Sequence, residues 1–344
     1  MKVVVTGASG FLGSHTVRAL LAAGHQVRAT ARSAHRVRQA LEDRAGPVEV
    51  VAADVTDADD VRRALADCDA VVHAAAVYSF DVRRRRELLR VNPLGTELVL
   101  GQAYRLGLDP IVHVSSFTAL LPAAGVLTPG SPVGDPPVAY ARSKARSDRV
   151  ARDWQAKRAP VTIVYPGMVW GPGDPVAGES TLLARAVLGG LIPFRLPGAV
   201  PIVDVRDVAA VLAASLTKGG RRYLAAAEVL PLAEVQRLIR AAVGARAPRV
   251  PVPAPVLLAT ARLAELAQRV VPVRLPVNYE GPWTARHCPP VDASATTEEL
   301  GVGFRPAAET IRDTVRWLTR PGDRSGAGQA PRRASNSFAS RFGT

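Results

Sequence analysis

The sequence is poor in cysteine. Only Cys68 and Cys288 occur among 344 residues, with no CxxC pair and no Cys/His cluster. This usage is typical of a reducing compartment and indicates no structural metal site. An apolar strand is predicted from residue 2 and no apolar stretch reaches membrane-spanning length, so we expect a cytoplasmic protein without signal peptide or transmembrane segment.

Acidic residues are too few to balance the basic ones: 30 Asp and Glu stand against 44 Lys and Arg, a net charge of +14. The positive charge is spread along the chain, with a local run only at residues 83–86 and no aromatic residues interleaved there. No DNA-binding motif accompanies it, so we expect no specific nucleic-acid partner. With 48% hydrophobic and 22% charged residues, the composition is that of an ordinary globular protein.

Three glycines punctuate the opening stretch "VVVTGASGFLGSH". Gly7, Gly10 and Gly13 lie between a β-branched run and a segment with helical apolar spacing. At a strand-to-helix turn, backbone N–H groups and the helix dipole favour a phosphate, and the glycines permit a tight turn and close approach. The Walker pattern is missing, so a nucleotide triphosphatase is disfavoured. The loop predicts a dinucleotide site.

The second predicted strand lacks the acidic residue that would accept the ribose hydroxyls of NAD. Arg32 stands at its end, followed by Arg36 and Arg38. A guanidinium can pair with a 2′-phosphate, which a carboxylate would repel. We therefore expect NADP(H) as the preferred cofactor, with NAD(H) as the alternative.

A tyrosine and a lysine lie one helical turn apart in "YARSK". Tyr140 follows Ser116 by 24 residues, and Lys144 shares its helix face. A phenol is a poor acid–base catalyst at neutral pH, and an ammonium nearby together with a nicotinamide favours the phenolate. Ser116 ends the fifth predicted strand and can orient the reacting oxygen. The pattern predicts a Ser–Tyr–Lys catalytic site.

Strands and helices alternate through the first half, which predicts an α/β fold with a parallel sheet. The motifs "TGASGFLG", "ADVTD", "HAAA", "VNPLGT", "VSS", "YARSK", "YPGMVWGPGD" and "VDVRDVAA" occur in the order of the extended short-chain dehydrogenase/reductase (NAD-dependent epimerase/dehydratase) family, which the chain resembles over about residues 1–319. The resemblance implies a Rossmann-type doubly wound parallel sheet with a smaller C-terminal substrate-binding domain.

Site residues follow from the resemblance by position. It implies that Ser116, Tyr140 and Lys144 are catalytic and that Asn92 supports the site from a long helix. The cofactor-binding residues it implies are Gly7, Gly10, Phe11, Leu12, Gly13, Asp54, Val55, Ala74, Ala75, Tyr140, Lys144, Pro166 and Gly167. Arg32 joins them as the expected contact to the 2′-phosphate.

The predicted domain boundary lies near residue 166, where the composition changes and Pro and Gly become frequent. We expect residues 1–165 to form mainly the NAD(P)-binding domain and 166–320 mainly the substrate-binding portion, with 200–215 returning to the Rossmann core. Residues 321–344, rich in Gly, Ser, Arg and Pro, predict a disordered tail. The amphipathic helix near 254–271 fits packing over a substrate pocket better than peripheral contact with a membrane.

Departures from the family's motifs indicate which branch of the family the chain resembles most. The sugar-nucleotide 4,6-dehydratases of this family carry a Thr–Asp–Glu arrangement at the place where this chain has Ser116, Phe117 and Thr118. The two carboxyl groups that would serve as the acid–base pair for eliminating water are therefore missing. Nucleotide-sugar epimerases usually carry an Asn after the sixth strand, and none is present here. The remaining resemblance is to dihydroflavonol reductases and 3β-hydroxysteroid dehydrogenases. The expected substrate-pocket residues are Tyr78, Phe80, Phe117, Met168 and Trp170.

The resulting hypothesis is an oxidoreductase that transfers hydride to or from an apolar ketone, aldehyde or alcohol. Two alternatives stay open. A nucleotide-sugar epimerase would use the same triad and would need Arg185 and Arg195 to point into the cleft. A non-catalytic dinucleotide sensor would not need the Tyr140–Lys144 pair that this chain has. We expect a small-molecule substrate and a monomer or homodimer.

Overall fold

A computed structural model describes residues 1–41, 46–217, 219–270 and 278–320, with only the backbone described for 268–270. The predicted disordered tail, 321–344, lies outside the described residues. Ten strands and twelve α-helices form within the described ranges.

The strands are β1 (Lys2–Thr6), β2 (Gln26–Ala31), β3 (Glu49–Ala52), β4 (Ala70–His73), β5 (Ile111–Val114), β6 (Val161–Pro166), β7 (Met168–Trp170), β8 (Ala199–Asp204), β9 (Arg222–Ala225) and β10 (Glu228–Pro231). The helices are α1 (Phe11–Ala22), α2 (Ala34–Leu41), α3 (Ala58–Leu65), α4 (Arg85–Arg105), α5 (Ala139–Ala156), α6 (Glu179–Leu188), α7 (Val205–Ala214), α8 (Leu232–Ala241), α9 (Ala254–Val270), α10 (Glu280–Arg286), α11 (Ser294–Leu300) and α12 (Ala307–Leu318).

Seven strands form one sheet in the order β3-β2-β1-β4-β5-β6-β9, and every pair in it is parallel. Helices cover both faces of such a sheet, which is why the β-branched runs of β1 and β4 are fully buried. The chain runs outward from β1 to β3 and then crosses to β4, so the carboxyl ends of β1 and β4 border the crevice in which doubly wound sheets bind ligands. The predicted fold class is confirmed.

The strands β10, β8 and β7 form a second, smaller sheet in that order. Its core is a separate hydrophobic cluster that includes Trp170, Ile202, Val235 and Ile311, contributed by the sheet and by α8 and α12. This unit is built almost entirely from residues after 166.

Two later elements join the large sheet and its helices. The strand β9 pairs in parallel with β6 at the sheet edge. The helix α7 packs against α1, and Val208 and Leu212 share a hydrophobic core with Val17. The strand β8 pairs with β7 and β10 instead. Segment 200–215 is therefore divided between the two sheets.

The helix α9 packs against α10 and turns Leu257 and Ala261 inward, while Leu263 and Leu266 are exposed. Across the described ranges, we find no helix with the length and apolar character needed to cross a bilayer.

Candidate active site

The glycine loop joins β1 to α1 at the crevice. Gly7 has a φ of +71°, a left-handed conformation that favours glycine. A Cβ on Gly13 would lie 2.2 Å from the carbonyl oxygen of Gly7, so only glycine allows this close packing of loop and helix. Gly10 is the N-cap of α1 and has no side chain to cap it. The first-turn N–H groups can therefore receive a phosphate, and this loop fits a dinucleotide.

The loop after β4 lies directly against this turn. A Cβ on Gly7 would come within 2.8 Å of the backbone of Ala75, whose N–H donates to Thr6 Oγ1 at 3.1 Å. Ala74 lies beside it at the end of β4. The structure thus brings the predicted residues of these two loops together. Phe11 and Leu12 open α1, and Leu12 packs into the adjacent core.

The ends of β2 and β3 also lie side by side, since Ala53 N donates to Ala31 O at 3.0 Å. Arg32 follows β2 directly and is exposed. Asp54 accepts hydrogen bonds from Thr56 N at 2.9 Å and Thr56 Oγ1 at 2.8 Å, which holds this loop in one conformation. Val55 packs against the α4 backbone at Gly95.

The three predicted catalytic residues converge beyond β5. Ser116 follows β5, and its Oγ accepts hydrogen bonds from Thr118 N at 3.2 Å and Thr118 Oγ1 at 2.9 Å. The phenol of Tyr140, which α5 carries, lies near this hydroxyl. One turn further on, Lys144 Nζ donates to Val114 O at 2.7 Å, and the side chain is buried. Serine, tyrosine and lysine thus lie at the carboxyl end of one central strand.

Asn92 connects the loop after β4 to α5. It is buried in α4, accepts from Val77 N at 2.7 Å and donates to Val77 O at 3.0 Å. Its Nδ2 also donates to Ser143 Oγ at 2.9 Å, next to Lys144. The side chain fixes the loop after β4 against α5.

Burial shifts the acid–base groups in opposite directions. Burial raises the pKa of Tyr140, against the hydrogen bond with Ser116 that lowers it, and the charge of Glu280 raises it further. Burial lowers the pKa of Lys144 to about 8, and the charge of Asp148 opposes that shift. In the protein alone, desolvation of the phenolate is the largest effect on the pKa of Tyr140. The lowered pKa that Lys144 and a bound nicotinamide would together produce stays a prediction.

The predicted pocket aromatics divide into two groups. The ring centroids of Tyr78 and Phe80 lie 4.8 and 6.1 Å from that of Tyr140, so both cover the phenol. Phe117 is 4% exposed in the core beneath the large sheet, and Trp170 is completely buried in the core of the small sheet. Met168 is half-buried against that second core. Only the first two residues are brought to Tyr140.

Pro166 and Gly167 end β6 in a buried position. A Cβ on Gly167 would lie 2.6 Å from the carbonyl oxygen of Pro201 in β8, so glycine is required where the large and small sheets meet. Gly167 N donates to Ala225 O at 2.9 Å and extends the pairing of β6 with β9.

Two carboxylates at the site have no sequence signal. Glu179 in α6 accepts from Phe80 N at 2.8 Å. Glu280 in α10 accepts from Tyr140 N at 3.0 Å and from Ala141 N at 2.8 Å. Neither belongs to a motif, and each reaches the site through packing of elements distant in the chain.

A glycine-loop Rossmann sheet with a serine, a tyrosine and a lysine at its central strand defines a dinucleotide-dependent α/β oxidoreductase. The chain belongs to the NAD dependent epimerase/dehydratase family, whose model matches residues 3–226. The predicted extended short-chain dehydrogenase/reductase membership is confirmed, and the family binds NAD(P) and acts on small molecules.

Two curated relatives match the chain over more than nine-tenths of its length. The chain is 33% identical over 337 residues to sterol demethylase protein B of Methylococcus capsulatus, covering 94% of this chain and 99% of the relative. It is 29% identical to a putative dihydroflavonol 4-reductase of Synechocystis, covering 92% and 94%. Among solved structures, a double mutant of the dTDP-glucose 4,6-dehydratase DesIV from Streptomyces venezuelae, with NAD bound, superposes with a TM-score of 0.71 at 25% identity, covering 92% and 97%.

Proposed function

We propose that this protein is an NADP(H)-dependent reductase or dehydrogenase of apolar, ring-containing carbonyl compounds or alcohols, working through Ser116, Tyr140 and Lys144. The observation that carries the proposal is the setting of the Tyr140 phenol. It lies near the Ser116 hydroxyl and is covered by the rings of Tyr78 and Phe80. A carbonyl oxygen bound between Ser116 and Tyr140 would place its apolar body against those rings.

The roles of the three residues follow from their chemistry. In reduction, the O–H bond of Tyr140 breaks and its proton passes to the carbonyl oxygen, which Ser116 holds by a hydrogen bond. The ammonium of Lys144 stabilises negative charge that develops on Tyr140. A bound reduced nicotinamide would supply the hydride that adds to the carbonyl carbon. In alcohol oxidation the same proton moves in the opposite direction.

The proposed preference for NADP(H) rests on Arg32. It follows β2 at the sheet edge beside Asp54, and it is exposed, so its guanidinium is free to reach a ribose 2′-phosphate. The loop residues of the glycine turn serve either dinucleotide, since they address the pyrophosphate that both share. The side chain at position 32 is therefore the discriminating contact.

The proposed apolar substrate rests on the charges around Tyr140. Glu179 and Glu280 approach the phenol region from α6 and α10. Ionised carboxylates at these positions would repel a diphosphate. Arg195, which an epimerase would need in the cleft, lines a surface groove with Arg237 and Arg249 instead. The names of the sterol and dihydroflavonol relatives agree with a ring-containing apolar substrate.

A cofactor-consumption screen tests the proposal. Purified protein is mixed with NADPH or NADH and with apolar ketones and aldehydes, including steroid ketones and dihydroflavonols, or with UDP- and dTDP-sugars. We expect NADPH to be oxidised in proportion to alcohol formed from an apolar carbonyl. Inversion or dehydration of a nucleotide sugar without net cofactor consumption would establish the alternative reaction class.

A further inference from the structure

The catalytic helix α5 is capped by a residue 140 positions further along the chain. Its own N-cap, Val138, has an apolar side chain that cannot accept a hydrogen bond. Glu280 takes that place: one carboxylate oxygen accepts from Tyr140 N at 3.0 Å and the other from Ala141 N at 2.8 Å. Both bonds are made in the first turn, at the positive end of the helix dipole.

Glu280 is 4% exposed, so its carboxylate lies in the protein interior at the backbone of Tyr140. Burial raises the pKa of Glu280 to about 7, against the two N–H bonds that lower it, and the charges of Glu265 and Glu179 raise it further. The same carboxylate raises the pKa of Tyr140. A buried acid that is hydrogen-bonded to the backbone of Tyr140 and acts on the pKa of its phenol couples the two groups electrostatically.

Several other ionisable groups face this region. Tyr279 precedes α10, and the guanidinium carbon Cζ of Arg262 lies 4.1 Å from the centroid of its ring. The charged or titratable groups that face Glu280 and Tyr140 from the surrounding elements are Tyr78, Asp81, Arg85, Glu179, Arg262 and Glu265. Glu280 itself is hydrogen-bonded to the backbone N–H of Tyr140.

We propose that Glu280 is a positioning residue for the reaction: it holds the first turn of α5 in place and keeps the phenol of Tyr140 protonated, which sets the site for proton donation to a carbonyl. This inference rests on the proposed function, because it assigns the direction in which Tyr140 works. With Glu280 ionised, the phenolate form of Tyr140 is disfavoured. Carbonyl reduction can then use the protonated phenol directly as its proton donor, whereas alcohol oxidation requires that this proton is removed first.

The test measures the titration of Tyr140 directly, without a substrate. Protein labelled with [¹³Cζ]tyrosine is titrated by NMR with NADP⁺ added, and the Tyr140 signal is assigned by its loss in Tyr140→Phe. In Glu280→Gln we expect the phenol midpoint to fall by about 1 pH unit, since a like charge is removed. Glu280→Asp retains the charge on a shorter side chain, so its midpoint should lie between those of wild type and Glu280→Gln.

Glu265→Gln is the matched control. Its carboxylate accepts from Tyr279 N at 3.1 Å and makes no hydrogen bond to α5 in the described structure, so the Tyr140 midpoint should stay where it is in wild type. A Tyr140 midpoint unchanged in Glu280→Gln, with only a lower melting temperature, would show a cap without electrostatic influence and overturn the inference. If Glu280→Gln does not fold, an unchanged midpoint in Glu280→Asp overturns it equally.

The result is independent of whether the proposed reaction is correct. Should Tyr140→Phe keep full turnover on a substrate found in the screen, the Ser–Tyr–Lys mechanism fails while the titration remains a valid measurement. A turnover lost in Tyr140→Phe, together with an unchanged midpoint in Glu280→Gln, would remove only the role of Glu280.

Discussion

The ring of Tyr78 lies over that of Tyr140, with centroids 4.8 Å apart and planes tilted by 54°. Tyr78 is 42% exposed, so part of its ring is open to solvent. Under the proposed function, an apolar substrate that reaches Tyr140 contacts Tyr78 as well. A substitution of Tyr78 should therefore change substrate binding without changing the stability of the fold.

Tyr78→Ala should weaken binding of an apolar carbonyl compound while leaving the fold intact. Loss of one aromatic contact corresponds to about a tenfold rise in KM. Phe117→Ala is the contrasting variant: its ring is buried in the core, so we expect the free energy of unfolding to fall by about 3 to 5 kcal/mol. Steady-state kinetics and chemical denaturation measure both. A KM unchanged in Tyr78→Ala would place the substrate elsewhere.

Tyr140→Phe removes the proton donor and little volume. We expect normal folding and NADPH binding, with turnover reduced by about 100-fold or more. Tyr104→Phe is the control, because this exposed tyrosine packs on Trp154 in the described structure, far along α4 from the catalytic residues. The comparison uses the carbonyl compound found in the screen. Equal turnover in Tyr140→Phe and Tyr104→Phe would contradict the catalytic assignment.

Arg32→Asp should reverse the cofactor preference. The guanidinium can form charge-assisted bonds to a 2′-phosphate, and a carboxylate there would repel it and accept ribose hydroxyls instead. We expect NADPH affinity to fall about tenfold or more and NADH affinity to rise. Fluorescence titration of each cofactor measures the change, with Arg62→Asp on the surface of α3 as control. If both proteins bind the two cofactors equally, Arg32 does not discriminate between them.

Asp148→Asn should shift the loss of activity at alkaline pH toward neutral pH. The negative charge of Asp148 raises the pKa of Lys144, which burial otherwise lowers to about 8. Removing that charge lowers the lysine pKa further, so the ammonium is lost nearer neutrality. The alkaline limb of the pH–rate profile should therefore move to lower pH, with Glu97→Gln as an exposed control on α4. A limb that stays in place would show that Lys144 does not limit activity there.

His113→Leu should reduce the sensitivity of folding to acid. His113 is 1% exposed, and burial, then the charges of Lys144 and His73, lower its pKa well below 6.5. The unfolded chain therefore takes up this proton first, so stability is complete above pH 6.5 and falls below it, by at most about 1.4 kcal/mol per pH unit. The pKa of Glu280 is raised and acts in the opposite sense, but it cancels when the two proteins are compared.

Denaturation at pH 7.5 and pH 5.5 measures this difference, with pH values chosen to lie about 1 unit either side of the unfolded histidine pKa. We expect the free energy of unfolding of His113→Leu to decline less between them than that of wild type. His35→Leu, at an exposed position of α2, should behave as wild type. Parallel declines in wild type and His113→Leu would show that His113 does not carry acid sensitivity.

Local pattern was sufficient to predict the glycine turn after β1 and the shared helix face of Tyr140 and Lys144. Gly7, Gly10 and Gly13 mark a turn whose backbone geometry is set within a few residues, and Tyr140 and Lys144 share a face because one helical turn separates them. The order of these motifs along an alternating strand–helix chain then predicted the doubly wound sheet. Each of these features depends on hydrogen bonds and spacing inside one element or one βα unit.

Only the tertiary structure decided which aromatic residues lie at Tyr140 and which acid caps its helix. Phe117 and Trp170 look like Tyr78 and Phe80 in sequence, yet the first two are core residues and the last two cover the phenol. Glu280 reaches α5 across 139 residues of intervening chain. Such contacts depend on how α6, α9 and α10 pack over the sheet. Because burial in that packing also sets the desolvation of each charge, the raised pKa of Tyr140 had no counterpart in the sequence pattern.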